Sequence, residues 1–358
     1  MPVLQAEPLR RFAGAVFQGM GASEEVAGEV ARHLLLANLS GHDSHGVLRI
    51  PLYVEMADRG ALRPSSMPEM LRESSGSVLV DAHRGFGQHS TLFTLERCIE
   101  KATSNGVAVG AIRHSTHTGR LGTYGELASG RGFVCIVTSG SAGPDYGLVA
   151  PFGGAGRFLS TNPWTVGIPA GPGHPPFVYD AATTTVAEGK NQLARSKGIP
   201  APEGALLDAA GRPTMDPEDL YRGGTMTPLG GSVAGHKGYG FSLAAALLGT
   251  LAMVGDPDPT PAGALEGFSG VGGVFLMVVN PALFGAAEIY EGLVARTLAE
   301  VKQVRPGPGF EEVLYAGEPE ARSRALRARE GIPIPDALLA ELAVVGRRFG
   351  AELPSAVG

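Results

Sequence analysis

Cysteine is close to absent: Cys98 and Cys135 are the only two in a chain of 358 residues. Two thiols suggest no disulfide framework, so the fold must rest on its apolar core, and a reducing cytoplasm is the expected location. Charge is sparse as well, at 18% of residues with a net −6. That leaves no basic footprint for nucleic acid and no cationic cluster for an anionic membrane. The longest apolar run, Phe241 to Val254, is interrupted by Ser242, Gly249 and Thr250 and is too short to span a bilayer. It reads as a buried helix. The amino terminus lacks the charged and apolar segments of a secretory signal. Also missing are a phosphate loop of the G-x-x-x-x-G-K-[S/T] type and a G-x-G-x-x-G turn, since Gly85-Phe-Gly87 is followed by Ser90 at the last place. What the chain has in quantity is glycine, 53 residues, with 27 prolines dispersed among short elements. That texture implies many tight turns and close backbone approaches around a site built from loops.

Apolar periodicity predicts helices over Val3–Phe17, over Glu24–Leu36 with Ser23 as cap, and over Ser44–Arg59 with a kink at Pro51. From Ser77 the texture changes. Strands are expected at Val78–Val80, Val107–Ile112 and Phe133–Thr138, separated by helices at Gln88–Ser104 and Tyr124–Ser129. Residues 140–235 read as loop-rich, with extended pieces at Trp164–Ile168 and Phe177–Tyr179. A helix over Gly238–Gly255, a strand at Gly273–Val279 and helices over Ala286–Val301, Glu320–Arg329 and Pro335–Phe349 complete the pattern. The fold class is α/β with an N-terminal helical region. Three parts are expected: a helical region over 1–75, an α/β core over 76–302, and a C-terminal segment over 303–358 that packs back on the core.

The chemistry concentrates in Leu39-Ser-Gly-His-Asp-Ser-His-Gly-Val-Leu-Arg-Ile-Pro-Leu-Tyr53. His45, Arg49 and Tyr53 are spaced i, i+4, i+8 and would share one helical face. Ser44 would cap the helix or bond a ligand. A guanidinium grips a carboxylate with two prongs and an imidazole titrates near neutrality, so Arg49 suits a carboxylate substrate and His45 a proton transfer. The competing reading is a solvated helix face. A second group lies at His114, His117, Thr118, Gly119, Arg120 and Gly122, where backbone amides, a hydroxyl and a guanidinium could cradle a pyrophosphate. The pairs His42/His45 and His114/His117 could in principle hold zinc, but no cysteine or acidic cluster completes the shell, and no metal site is assigned. Lys237 near a helix start would be relieved by an anion.

These segments resemble the signature of the type-2 malate/L-lactate dehydrogenase family, which includes sulfolactate and ureidoglycolate dehydrogenases and cyclic imino-acid reductases. The resemblance continues through Arg113–Gly122, Ala150–Gly154, Ser160–Pro163, Asp180–Thr184 with Gly189-Lys190, Gly235–Tyr239 and Ala316–Glu320. It implies a nicotinamide-binding fold unlike the doubly wound dinucleotide fold, NAD or NADP as cofactor, and a homodimer. It further implies that Thr118, Gly119, Arg120, Leu121 and Gly122, Asp180, Ala181 and Ala182, and Lys237 with Gly238 contact the cofactor. Thr161 is implied to contact substrate, and His117 aligns with the acid/base of ureidoglycolate dehydrogenases. At position 190 the imine reductases of the family carry aspartate; lysine here favours a substrate carboxylate or alkoxide. The expected reaction interconverts a small 2-oxo acid and its 2-hydroxy acid. Arg49 is the clamp, His45 the acid/base, Ser44 its orienting hydroxyl, and His117 and Lys190 are further catalytic candidates. Reduction of a cyclic imino acid is the alternative, and a metal-dependent hydrolase a more distant one.

Overall fold

In a computed structural model of the chain, residues 1–143, 147–256 and 272–356 are described. A two-residue strand, β1 (Val3–Leu4), precedes helices α1 (Ala6–Gly19) and α2 (Glu24–Leu39). The first helix starts later than its apolar spacing suggests, because Val3 and Leu4 pair antiparallel with Pro333 and Ile332 from the far end of the chain. Ser23 caps α2 as expected. Its Oγ accepts from the Val26 amide at 3.2 Å, with Glu24 and Glu25 in the first turn, an arrangement that contributes about 1 kcal/mol.

After α3 (Arg49–Asp58) come β2 (Glu69–Glu73), β3 (Ser77–Asp81), α4 (Gly87–Asn105), β4 (Val107–Ser115), α5 (Gly122–Ser129) and β5 (Val134–Gly140). Strands β6 (Trp164–Ile168) and β7 (Phe177–Ala181) follow. The stretch expected to be loop-rich also carries α6 (Glu188–Lys197) and a small sheet of β8 (Leu206–Leu207), β9 (Pro213–Thr214) and β10 (Thr225–Met226). The last elements are α7 (Gly231–Gly249), β11 (Gly272–Val279), α8 (Ala287–Lys302), α9 (Glu318–Glu330), β12 (Ile332–Pro333) and α10 (Asp336–Phe349).

Among the described residues, seven strands form the main sheet in the order β2-β3-β4-β11-β5-β6-β7. Only the β3–β4 pair is parallel; its crossover is α4, and every other pair in this sheet is antiparallel. The fold is therefore a mixed α/β structure around a mixed sheet.

Three apolar clusters hold the described parts together. One joins α1, α2 and α3 to α10 through Phe17, Leu34, Ile50, Met56 and Leu342. The C-terminal helix thus packs against the N-terminal helices. A second lies in the sheet, built from Val80, Leu95, Ile112, Val137 and Leu276. Cys98 and Cys135 belong to it, and burial pushes both thiols up to about 12, which keeps them unreactive. The third surrounds Val149, Leu159, Leu206 and Met226.

The apolar helix departs from expectation. α7 begins at Gly231 rather than Gly238, breaks at Ala234 (φ −133°, ψ 15°), and gives way after Gly249 to a 3₁₀ turn over Thr250–Met253. It is not wholly buried, since Phe241, Leu247, Leu251 and Val254 are each more than half exposed. Among the described residues, no helix is long and apolar enough to cross a membrane.

Candidate functional site

The segment 39–53 does not form the single helix its spacing suggested. Asp43–His45 is a 3₁₀ turn, Gly46 leaves helical geometry (φ −89°, ψ −149°), and the α-helix begins only at Arg49. Ser44 therefore caps nothing, and the i, i+4, i+8 face does not exist as such. Pro51 sits in the first turn of α3, where its missing N–H costs no hydrogen bond, so the expected kink is unnecessary.

The turn nevertheless brings the predicted side chains together. Ser44 Oγ lies 2.9 Å from His45 Nδ1. Arg49 Nε donates to the Ser44 carbonyl at 2.6 Å, bracing the guanidinium through one nitrogen. Its remaining N–H groups have no carboxylate partner among the described residues. His45 stacks on His117 with ring centroids 5.5 Å apart and planes at 26°. Burial, then the positive charge of Arg49, holds both imidazoles well below their ordinary range. The result is a half-buried arginine without a counter-ion, beside two neutral imidazoles.

Tyr53 stands behind this group rather than in it. Its side chain is buried, and its hydroxyl lies 2.7 Å from His117 Nδ1 while accepting from Gln88 Nε2 at 2.6 Å. Burial raises its pKa well above the phenolic range. The phenol, expected to contact substrate, faces His117 because α3 packs its apolar side into the N-terminal core. Gln88 was not among the predicted residues, and one amide among the polar residues that open α4 gives no signal in sequence.

The segment Thr118–Gly122, expected to cradle a pyrophosphate, is packed into the protein. The segment is buried, with Thr118, Arg120 and Leu121 each at most 3% exposed. Two of its amides and the Arg120 guanidinium bond within the protein. The Gly119 amide donates to His117 Nδ1 at 3.3 Å and the Gly122 amide to Asp180 Oδ2 at 2.7 Å. Thr118 contributes its carbonyl to the Tyr124 hydroxyl at 2.7 Å. Arg120 is paired with Glu126 at 2.9 Å and lies 3.8 Å from Asp180. Asp180 thus occupies the start of α5, the place foreseen for a phosphate, and burial raises its pKa despite Arg120 and the Gly122 amide. Residues 117–122 form a wall of the site. Gly119 has φ +73°, and a Cβ there would come within 2.4 Å of His33 Nε2. Both the turn and the close approach require glycine.

Ala181 ends β7 opposite Trp164, and Ala182 follows it half-buried. The Thr161 carbonyl accepts from the Thr183 amide and hydroxyl, each at 3.0 Å. Asn162 beside it is fully buried and donates to the Ser141 and Ser242 carbonyls at 3.2 and 2.9 Å, tying this corner to α7. No described contact joins Thr161 or Lys237 to His45. Gly189 lies against Ser44, where an added Cβ would meet Ser44 Cβ at 3.0 Å, so the exposed Lys190 beside it stands at the edge of the histidine group.

The histidine pairs do not converge on a metal. His42 Nε2 lies 2.9 Å from Glu320, and His114 lies between Asp81 at 3.0 Å and Asp256 at 2.8 Å. Among the described residues, no group of three or more His, Cys, Asp or Glu is arranged to hold an ion. The first turn beyond the break in α7 carries Lys237 and Gly238, the residues expected to meet a cofactor phosphate. Lys237 is exposed there without an acidic partner among the described residues, and Gly238 is packed so closely that a Cβ would meet the Leu229 carbonyl at 2.2 Å.

Helix α9 staples the turn that carries Ser44 and His45 from outside. Arg327 grips Asp43, Ser323 Oγ donates to the Leu39 carbonyl at 2.9 Å, and Arg324 reaches Ser40 and Glu126 at 2.9 and 2.7 Å. This explains the Ala316–Glu320 segment, whose Glu320 meets His42; the three α9 residues beyond it were not legible.

The sequence pattern described as malate/L-lactate dehydrogenase matches residues 4–343. A malate dehydrogenase of Pyrococcus abyssi is 34% identical over 347 residues, covering 96% of this chain and 94% of that protein. The solved malate dehydrogenase of Pyrococcus horikoshii superposes with a TM-score of 0.86 at 30% identity, over 98% of this chain and 97% of the other. A delta1-piperideine-2-carboxylate reductase from Pseudomonas syringae superposes with a TM-score of 0.80 at 29% identity, over 96% and 100%.

Proposed function

The chain belongs to the malate/L-lactate dehydrogenase family, and on that premise we propose that it is an NAD(P)-dependent dehydrogenase interconverting a small 2-oxo acid and its 2-hydroxy acid. The observation that carries this reading is Arg49: a braced guanidinium with no carboxylate partner among the described residues, set beside two neutral imidazoles. An anionic substrate supplies the missing charge, and a carboxylate suits the fork. A carbonyl or hydroxyl next to that carboxylate then lies within the reach of the histidines.

When bound, the nicotinamide gives or takes the hydride. Arg49 holds the substrate carboxylate. His45 gives a proton to the substrate oxygen in reduction and removes it in oxidation. Ser44 can serve His45 in either state, because a hydroxyl both donates to and accepts from Nδ1. Lys190, at the edge of the group, favours the developing alkoxide. Lys237 offsets cofactor phosphate charge, and the wall formed by Thr118–Gly122 with Asp180–Ala182 flanks the cofactor on a sheet that is not doubly wound. Thr161 is assigned to the substrate by resemblance.

A homodimer is supported by surfaces a lone chain leaves uncovered. α8 buries no residue, and Phe241, Leu247, Val254, Phe284 and Ile289 are each more than half exposed. Location in the cytoplasm accords with the reduced, buried thiols.

The test is a matrix of 2-oxo acids and cyclic imines against NADH and NADPH, followed by loss of reduced-nicotinamide absorbance. Turnover of a 2-oxo acid is expected. Faster turnover of a five- or six-membered cyclic imine would favour the reductase reading, which the Pseudomonas syringae neighbour keeps in view.

A further inference from the structure

The two histidines of the site are held differently, and the difference separates their roles. His117 Nδ1 has two neighbours. One is the Gly119 backbone amide at 3.3 Å, which can only donate. The other is the Tyr53 hydroxyl at 2.7 Å. Gln88 Nε2 donates to that hydroxyl oxygen at 2.6 Å, so the phenolic hydrogen is turned towards His117. Two donors therefore converge on Nδ1, which must present its lone pair. A neutral imidazole with an accepting Nδ1 carries its hydrogen on Nε2. Nε2 has no hydrogen-bond partner among the described residues.

We propose that Gln88, acting through Tyr53, is a positioning residue that locks His117 as the neutral Nε2–H form, so that His117 donates a hydrogen bond to the substrate oxygen while His45 moves the proton. Protonation of His117 would place a second hydrogen on Nδ1, against the fixed Gly119 N–H. His45 meets no such obstacle, since its Nδ1 faces only the Ser44 hydroxyl, which can turn. A donor that stays neutral stabilises charge developing on the substrate oxygen without taking part in proton exchange. The hydrogen-bond order also predicts an inversion. Glutamate at position 88 would accept from the Tyr53 hydroxyl, turning the phenol's lone pairs towards His117 and favouring hydrogen on Nδ1.

The tautomer is measured without substrate or cofactor, by NMR of the full-length protein with ¹⁵N-labelled histidine, the His117 signals being assigned by their loss in His117→Gln. The proposal rests on the dehydrogenase reading only for turnover, so its failure and the failure of that reading are distinguishable. At pH 7 the expected His117 spectrum has a protonated Nε2 and an unprotonated Nδ1. Gln88→Glu should shift the population towards Nδ1–H. It should also lower kcat about 10- to 100-fold, by analogy with the loss of a hydrogen-bonding partner that orients a metal-bound histidine, with KM little changed. Gln88→Leu, which removes the amide without adding charge, should give a mixture of tautomers and a smaller loss. A parent His117 that is doubly protonated or Nδ1–H at pH 7 would overturn the proposal. So would folded Gln88→Glu and Gln88→Leu proteins whose His117 signals match the parent.

Discussion

Arg327 donates to both carboxylate oxygens of Asp43, at 2.6 and 3.0 Å, and so ties α9 to the turn that carries Ser44 and His45. The pair spans 284 positions of sequence, and Arg327 also reaches the Asn38 carbonyl at the end of α2. Arg327→Ala should cost about 1 kcal/mol of stability, at the upper end for a partly exposed pair because the contact is two-pronged. Loosening the turn should also lower kcat/KM. Arg327→Lys should restore only part of both, since an ammonium cannot reproduce the fork. Denaturation midpoints and kcat/KM equal to those of the parent in Arg327→Ala would show that the staple does not position the turn.

Arg49→Lys should damage catalysis more than its retained charge suggests. The guanidinium is braced by its Nε on the Ser44 carbonyl, a contact that leaves its terminal nitrogens for the substrate. Loss of a two-pronged charged contact should cost about 2–3 kcal/mol, or roughly 30- to 150-fold in kcat/KM. Steady-state kinetics on the folded variant decide it, and parental kinetics would remove Arg49 from the clamp.

His45→Gln and His117→Gln should differ in kind. If His45 moves the proton, its replacement lowers kcat by about 10²–10⁴, while His117→Gln, which retains an N–H donor, costs less. Burial and Arg49 hold the His45 imidazole well below its ordinary range. The acid limb of kcat/KM for oxidation, which needs neutral His45, should therefore lie below pH 6.5 in the free enzyme and be lost in His45→Gln. Abolished turnover in His117→Gln with most activity kept in His45→Gln would exchange the two assignments.

Acid should unfold the protein partly through its buried histidines. Burial, then Arg120 and Arg32, lowers His33 to about 3, and His45 and His117 are lowered as well. Below pH 6.5 the unfolded chain takes up protons that the folded chain refuses. Stability is then lost as pH falls from 6.5, down to about 3 for His33, by up to ~1.4 kcal/mol per pH unit for each such group. His33→Leu should reduce the stability difference between pH 7 and pH 5 measured by urea unfolding. A difference unchanged from the parent would mean that His33 is not held neutral.

Much of the architecture was written in short-range pattern. Ser23 before Glu24-Glu25 marked the start of α2, and the short apolar runs Val78–Val80 and Phe133–Thr138 marked strands of the sheet, because caps and strands depend on residues a few positions apart. Ser44, His45 and Arg49 were legible as chemistry, and their order in the chain with His117 and Lys190 carried the family. What local pattern could not supply was the partner of each polar group. Helical spacing placed Tyr53 beside His45, but the break at Gly46 and the packing of α3 turned it towards His117. The turn read as a phosphate cradle gives its Gly122 amide to Asp180, 58 residues on. Gln88 and Arg327 gave no sign at all. Hydrogen bonds are satisfied by whichever donor or acceptor the fold delivers within about 3 Å, regardless of distance along the chain. The sequence alone therefore determined which chemical groups the protein could bring to a site, and only the tertiary structure decided which of them face a ligand and which face each other.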